Sequence, residues 1–109
     1  MNYYKKTKKI PQAIIFAQEL QKSGDYIYSR KIYEEFFLNN QNHALRFKAL
    51  FEIADNIFYE GKYILAEKKY LEFMEYCMSQ DVSTETAHSL VEAYVKLAKR
   101  RLIEITTEK

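Results

Sequence analysis

Leu50-x-x-Ile53-Ala54-x-x-Ile57-x-x-x-Gly61-x-Tyr63-x-x-Ala66-x-x-x-Tyr70-x-x-Phe73 repeats an earlier stretch of the same chain, Ala13-x-x-Phe16-Ala17-x-x-Leu20-x-x-x-Gly24-x-Tyr26-x-x-Ser29-x-x-x-Tyr33-x-x-Phe36. The offset is constant, since Gly24 to Gly61 is 61 − 24 = 37 residues. Eight of the 24 columns are identical: Ala17/Ala54, Gly24/Gly61, Tyr26/Tyr63, Ile27/Ile64, Lys31/Lys68, Tyr33/Tyr70, Glu35/Glu72 and Phe36/Phe73. A helix–turn–helix unit that recurs in register marks a helical repeat protein, in which each unit buries its apolar face against the next. Such arrays present surfaces to other proteins and seldom carry chemistry of their own.

Five helices follow from the pattern. The first, about residues 11–22, has Pro11 suited to a first turn and Ala13, Phe16, Ala17 and Leu20 at the i, i+3, i+4, i+7 positions of an apolar stripe. Gly24 is free to take positive φ after the last turn, and Asp25 is the expected N-cap of a second helix over about 26–38. A loop at 39–42 leads to a third helix, about 43–60, closed by Gly61, and a fourth, about 62–78. A second loop, 79–83, ends on Ser83 as N-cap, with Glu85 favourably placed against the dipole of a fifth helix over about 84–106. Ala87, Leu90, Val91, Tyr94, Ala98, Leu102 and Ile105 share one stripe of that helix, whose charged later turns suit the end of an array.

Composition agrees. At 109 residues the chain is read as a basic N-terminal arm, 1–10, and one domain, 11–109. Only 2 Gly and 1 Pro leave little material for β-turns, while 10 Tyr and 7 Phe exclude a disordered chain. Lys+Arg 17 against Asp+Glu 15 gives no global attraction to nucleic acid or membrane. No stretch approaches a membrane span, and the region after Lys9 is too short and polar for a signal peptide. As given, the chain reads as cytoplasmic; a mature fragment behind a new Met1 would look the same and would sit on the periplasmic side of an envelope.

The repeat resembles the tetratricopeptide repeat (TPR). The resemblance covers about residues 11–76 as two units, 11–40 and 43–79 with their flanking turns, closed by a capping helix over 84–106. It implies an all-α, TPR-like α-solenoid. In that comparison Ala17, Ala54, Ser29 and Ala66 permit close helix approach, and Tyr26, Tyr33, Tyr63 and Tyr70 fill the space between hairpins with hydroxyls near the edge. The consensus Trp is replaced by Ala13 and Leu50, the Pro that ends a repeat is absent, and the longer period implies a longer connection at Asn39 to Asn42. In style the second unit is similar to those of bacterial envelope proteins: the TPR lipoprotein of the outer-membrane β-barrel assembly machine, and the cell-division coordinator of the Tol–Pal system.

The family's concave groove, carried over residue by residue, falls on Ile14, Gln18, Gln21 and Lys22 from the first helix. Lys48, Phe51, Glu52, Asp55, Phe58 and Tyr59 come from the third, and His88, Glu92 and Lys96 from the fifth. Phe51, Phe58 and Tyr59 lie off the Leu50/Ile53/Ala54/Ile57 stripe, so they either form a shelf for a partner peptide or pack against helices 1 and 5. The carboxylate clamp of some TPR co-chaperones is not matched, because its places carry Ile14, Gln18, Glu52, Glu85 and Ser89. Lys5, Lys6, Lys8 and Lys9 read as a solvated terminus, with contact to phosphates or anionic lipid as the alternative. His43 and His88 have no ligand or base–nucleophile spacing, and Cys77 reads as an apolar filler.

The implied function is non-catalytic binding of a partner protein or peptide, with no cofactor, metal or small-molecule substrate. The alternative is a structural subunit of a bacterial envelope assembly or a self-associating scaffold, its contact face the outer side of helix 1 at Ile10, Ile14 and Ile15.

Overall fold

The computed structural model describes residues 10–82 and 85–108, and over them the protein is all-helical. The elements are α1 (Gln12–Lys22), α2 (Tyr26–Asn39), α3 (Arg46–Tyr59), α4 (Tyr63–Ser79) and α5 (Glu85–Glu108). Residues 1–9 of the basic arm and the expected cap Ser83 lie outside the described residues, as does the side chain of Glu85.

Both glycine turns take one geometry. Gly24 has φ 89° and Gly61 φ 83°. At the first, the Asp25 amide donates to Leu20 O (2.8 Å) and the Gly24 amide to Gln21 O (3.1 Å). At the second, the Lys62 amide donates to Ile57 O (3.2 Å) and the Gly61 amide to Phe58 O (2.9 Å). This is the Schellman pattern, which satisfies the carbonyls a helix end leaves open. Asp25 caps α2 by accepting from the Tyr28 amide at 3.3 Å, whereas Lys62 offers α4 no such cap.

Two starts differ from expectation. Pro11 stands at the N-cap, its carbonyl accepting from the Ile14 and Ile15 amides, so α1 begins one residue later. The third helix begins at Arg46 and not near residue 43, because His43 holds the chain in a turn. Its Nδ1 accepts the Leu45 amide at 3.0 Å, and its carbonyl accepts both the Arg46 amide (3.0 Å) and Arg46 Nη1 (2.9 Å). Local side-chain bonds of this kind compete with helix propagation.

Packing is centred on α3, which touches α2, α4 and α5, while α1 lies against α2. From Phe51 to Ile57 every residue of α3 is buried. A helix covered on all sides in this way is an interior one. Ala17, Ser29, Ala54 and Ala66 are fully buried, and the large rings Tyr33, Phe47, Tyr70 and Phe73 fill the volume between helices. Burying one such ring removes enough apolar surface from water to contribute about 1.5–3 kcal/mol. Ser29 does more than give room: its hydroxyl donates to Ala17 O at 2.8 Å and accepts from Asn56 Nδ2 at 3.1 Å, tying α1, α2 and α3 together.

Three sequence expectations change. Phe16 is half exposed, beside Tyr28, and Ile14 takes its place in the core, so Ile14 belongs neither to a groove nor to an outer contact face. The Tyr33 and Tyr70 hydroxyls are not at the edge; both side chains are fully buried. The fifth helix runs on to Glu108, since Lys99, Arg100 and Arg101 are strong helix formers and no Gly or Pro stops it.

Candidate functional site

Of the six residues that the groove assignment placed on α3, four form a single row, Lys48, Glu52, Asp55 and Tyr59, three or four positions apart. The row is turned into the molecule. Lys48 Nζ reaches Glu52 at 2.9 Å and Tyr94 Oη at 3.3 Å, while Gln21 from α1 donates to the other Glu52 oxygen at 3.1 Å. Burial of Lys48 works against its charge, but Glu52 and Tyr94 more than offset that and hold its pKa above the usual lysine value.

One turn on, Asp55 is buried beneath α5. Arg101 grips it through Nε (2.8 Å) and Nη2 (3.4 Å), and the Tyr70 hydroxyl donates to the same carboxylate. Arg101 also donates to the Tyr59 hydroxyl at 2.8 Å and lies over the rings of Phe58 (5.0 Å) and Tyr59 (5.4 Å). Its hydrogen bond to Asp55 raises the guanidinium pKa despite burial. Burial, followed by the Asp55 charge, pushes the Tyr70 phenol well above its usual range.

The shelf of rings is thereby resolved residue by residue. Phe51 is 2% exposed and packs on Tyr70, Phe73 and Tyr94. Phe58 is half-buried against Tyr63. Tyr59 stays 45% exposed, stacked on Tyr26 at 5.5 Å. Phe51 and Asp55 therefore present no surface, and Lys48 very little. Gln18 is half-buried on α1, and Lys22 is exposed in its last turn.

His88, Glu92 and Lys96 are not brought to that row. Tyr94 and Arg101 reach α3 from α5, whereas Glu92 and Lys96 lie next to Val91, Val95 and Lys99. His88 faces Glu92 across one turn at 3.7 Å, both largely exposed. This edge of α5 borders α4, where Val91, Val95 and Lys99 surround a depression with Met74, Cys77 and Met78.

Along α4 itself runs a feature that the sequence reading passed over. Ile64, Leu71 and Met78 are 78%, 51% and 85% exposed. Seven residues apart, they form one line down the helix, with Lys68 and Glu75 exposed between them. Neither charge has an ion-pair partner among the described residues. The heptad spacing of Ile64, Leu71 and Met78 is legible in the sequence, beside the inward stripe of Ala66, Tyr70 and Phe73 on the same helix.

The chemistry available is limited. Glu52 and Asp55 are each neutralised by a bonded cation, and Cys77 has its thiol pushed up to about 11 by burial, which leaves it protonated at neutral pH. Among the described residues no three His, Cys, Asp or Glu side chains converge as metal ligands, and no helix is long and apolar enough to cross a membrane. Family models, curated proteins and solved structures give no match to this chain.

Proposed function

We propose that this chain is a non-catalytic protein-interaction module. Two TPR-like hairpins and a capping helix form its α-solenoid, and the α4 ridge with the adjoining edge of α5 is its contact surface. The observation that carries the reading is the ridge: three large apolar side chains in line, exposed, on a protein whose interior polar groups are largely satisfied by one another. Apolar side chains at i and i+7 are the means by which one helix engages another. The α5 edge supplies a polar rim in Glu92, Lys96 and Lys99, as interaction surfaces commonly have around an apolar centre. The groove residues Phe51 and Asp55 serve cohesion in this reading, and Tyr59, Gln18 and Lys22 are peripheral.

The test compares cross-linked neighbours of the wild-type chain, Ile64→Glu/Leu71→Glu and Gln18→Ala/Lys22→Ala/Tyr59→Ala in native extract, by mass spectrometry. Neighbours lost with the ridge variant and kept with the α1–α3 variant are expected. The reverse pattern would move the contact surface to the groove. If all three chains recover neither another protein nor a second copy, the interaction reading fails.

A further inference from the structure

We infer that the α4 ridge is a self-association surface: a second copy docks with its own α4 antiparallel to the first, Leu71 meeting Leu71 on a two-fold axis. This rests on the reading of the ridge as a contact surface and names its occupant.

The argument is in the order of side chains along the line. From the N-terminal end its central row reads Ile64, Lys68, Leu71, Glu75, Met78, flanked by Glu67 and Met74 on one side and by Glu72, which Lys69 pairs, on the other. Apolar groups sit at the two ends and the middle, with a cation before the middle and a carboxylate after it. An isologous contact brings the same patch of two copies together, so the patch must complement itself. Turned antiparallel about Leu71, the line does so. Ile64 of one copy meets Met78 of the second, Leu71 meets its equivalent, and Lys68 comes within one residue, about 1.5 Å along the axis, of the level of Glu75, twice, a gap its long side chain spans. A parallel arrangement sets Lys68 against Lys68 and Glu75 against Glu75, which repel. The charges are free to take these partners, since Lys69 pairs with Glu72 (3.3 Å) and neither Lys68 nor Glu75 has an ion-pair partner among the described residues.

The matching line 37 residues earlier, which runs down α2 and past its end, lacks this pattern. It reads Ile27, Lys31, Glu34, Leu38, Gln41: a carboxylate stands where Leu71 would be, and Glu34 already faces Arg30 at 3.9 Å. The ridge is therefore a property of α4 and not of the repeat. From Ile64 to Met78 it is about 21 Å long at 1.5 Å per residue. Three apolar side chains per copy fall at the small end of specific interfaces, so the association is weak and concentration-dependent.

Sedimentation equilibrium over a wide concentration range tests this. The wild-type mean mass rises toward twice 13.1 kDa with concentration. Leu71→Glu stays monomeric with an unchanged helical circular dichroism spectrum. Lys68→Glu and Glu75→Lys alone each weaken association roughly tenfold, because each turns two attractive pairs into repulsive ones. The double variant Lys68→Glu/Glu75→Lys recovers it. As a second readout, Leu71→Cys in a Cys77→Ser background forms a symmetric disulfide under mild oxidation. A double variant no better than the singles overturns the antiparallel register. A wild-type chain that stays monomeric overturns self-association; if Leu71→Glu then still loses a cross-linked neighbour of another kind, the ridge serves an unlike protein and the interaction reading survives without this one.

Discussion

Gly61 combines a φ of 83° with open space, since a Cβ placed on it would meet nothing within 4 Å. Its substitution cost is therefore conformational and not steric. Gly61→Asn is expected to cost about 1 kcal/mol, and Gly61→Val appreciably more, because a β-branched residue is least tolerant of the left-handed region. Thermal midpoints separate the two, and equal losses would contradict the Schellman turn. A second pair concerns close approach. Ala54 is fully buried where α3 meets its neighbours, so Ala54→Leu overpacks the site at about 1–3 kcal/mol. Ser29→Ala loses one bridging hydroxyl, about 1 kcal/mol, since Asn56 Nδ2 keeps its bond to Glu52 O. Ala54→Leu should therefore be the more damaging in chemical denaturation, and the opposite order would mean α3 has room at Ala54. These positions were legible in the sequence because a glycine at a helix end and a small residue at a crossing leave a signature in one chain. The fate of the Tyr33 hydroxyl was not, since nothing in a repeat pattern says whether a phenol finds a partner.

At the scale of elements, α5 is fastened to α3 by the Asp55–Arg101 pair, the Tyr94–Lys48 contact and packing of Phe51 on Tyr94. Removing one partner of a buried pair leaves the other desolvated and unpaired. Asp55→Ala strands the Tyr70 hydroxyl and leaves Arg101 only Tyr59 and the more exposed Glu104 (3.3 Å), and because Arg101 keeps those partners and some solvent access the cost is nearer about 2–3 kcal/mol than the full value for a sealed pair. Arg101→Lys retains charge but loses the two-pronged grip and the stacking on Phe58, so a smaller loss is expected. Hydrogen exchange on Asp55→Ala should show α5 losing protection while α1 and α2 hold theirs; uniform loss would mean α5 is not separately latched. The pattern of apolar stripes located all five helices, and the same pattern misled about α3. Lys48, Glu52 and Asp55 fall off the apolar stripe, where a helix usually meets water. Their burial depends on Gln21, Tyr94 and Arg101, and Arg101 lies 46 residues from Asp55, beyond the reach of any local period.

Over the whole molecule the polar interior has one collective consequence, a bias against alkaline conditions. Tyr33 and Tyr70 are raised mainly by burial, Cys77 is raised from 9.0 to about 11 by burial, and Lys48 is raised by its partners in spite of burial. A raised value means the folded chain keeps a proton that the unfolded chain releases. Below the unfolded values both states are protonated and the contribution is fully present; above them the unfolded chain holds fewer protons, and stability falls as pH rises. Cys77 titrates first in the unfolded chain, so the decline begins near 9 and runs to about 11 on its account, with the phenols and Lys48 adding to it at the alkaline end. Urea midpoints measured across this range should be flat from neutrality to about pH 8.5 and then drop. Cys77→Ala should remove the early part of the drop, after allowance for the small cavity it leaves. Tyr33→Phe is the sharper test. Its hydroxyl is buried without a hydrogen-bond partner among the described residues, so deleting it should leave stability at pH 7 unchanged or slightly improved while flattening the decline above pH 10. A Tyr33→Phe chain that is clearly weaker at pH 7 would show that the hydroxyl is satisfied after all. One that keeps the full alkaline decline would place the titrating group elsewhere, and Tyr70 would be the next to change.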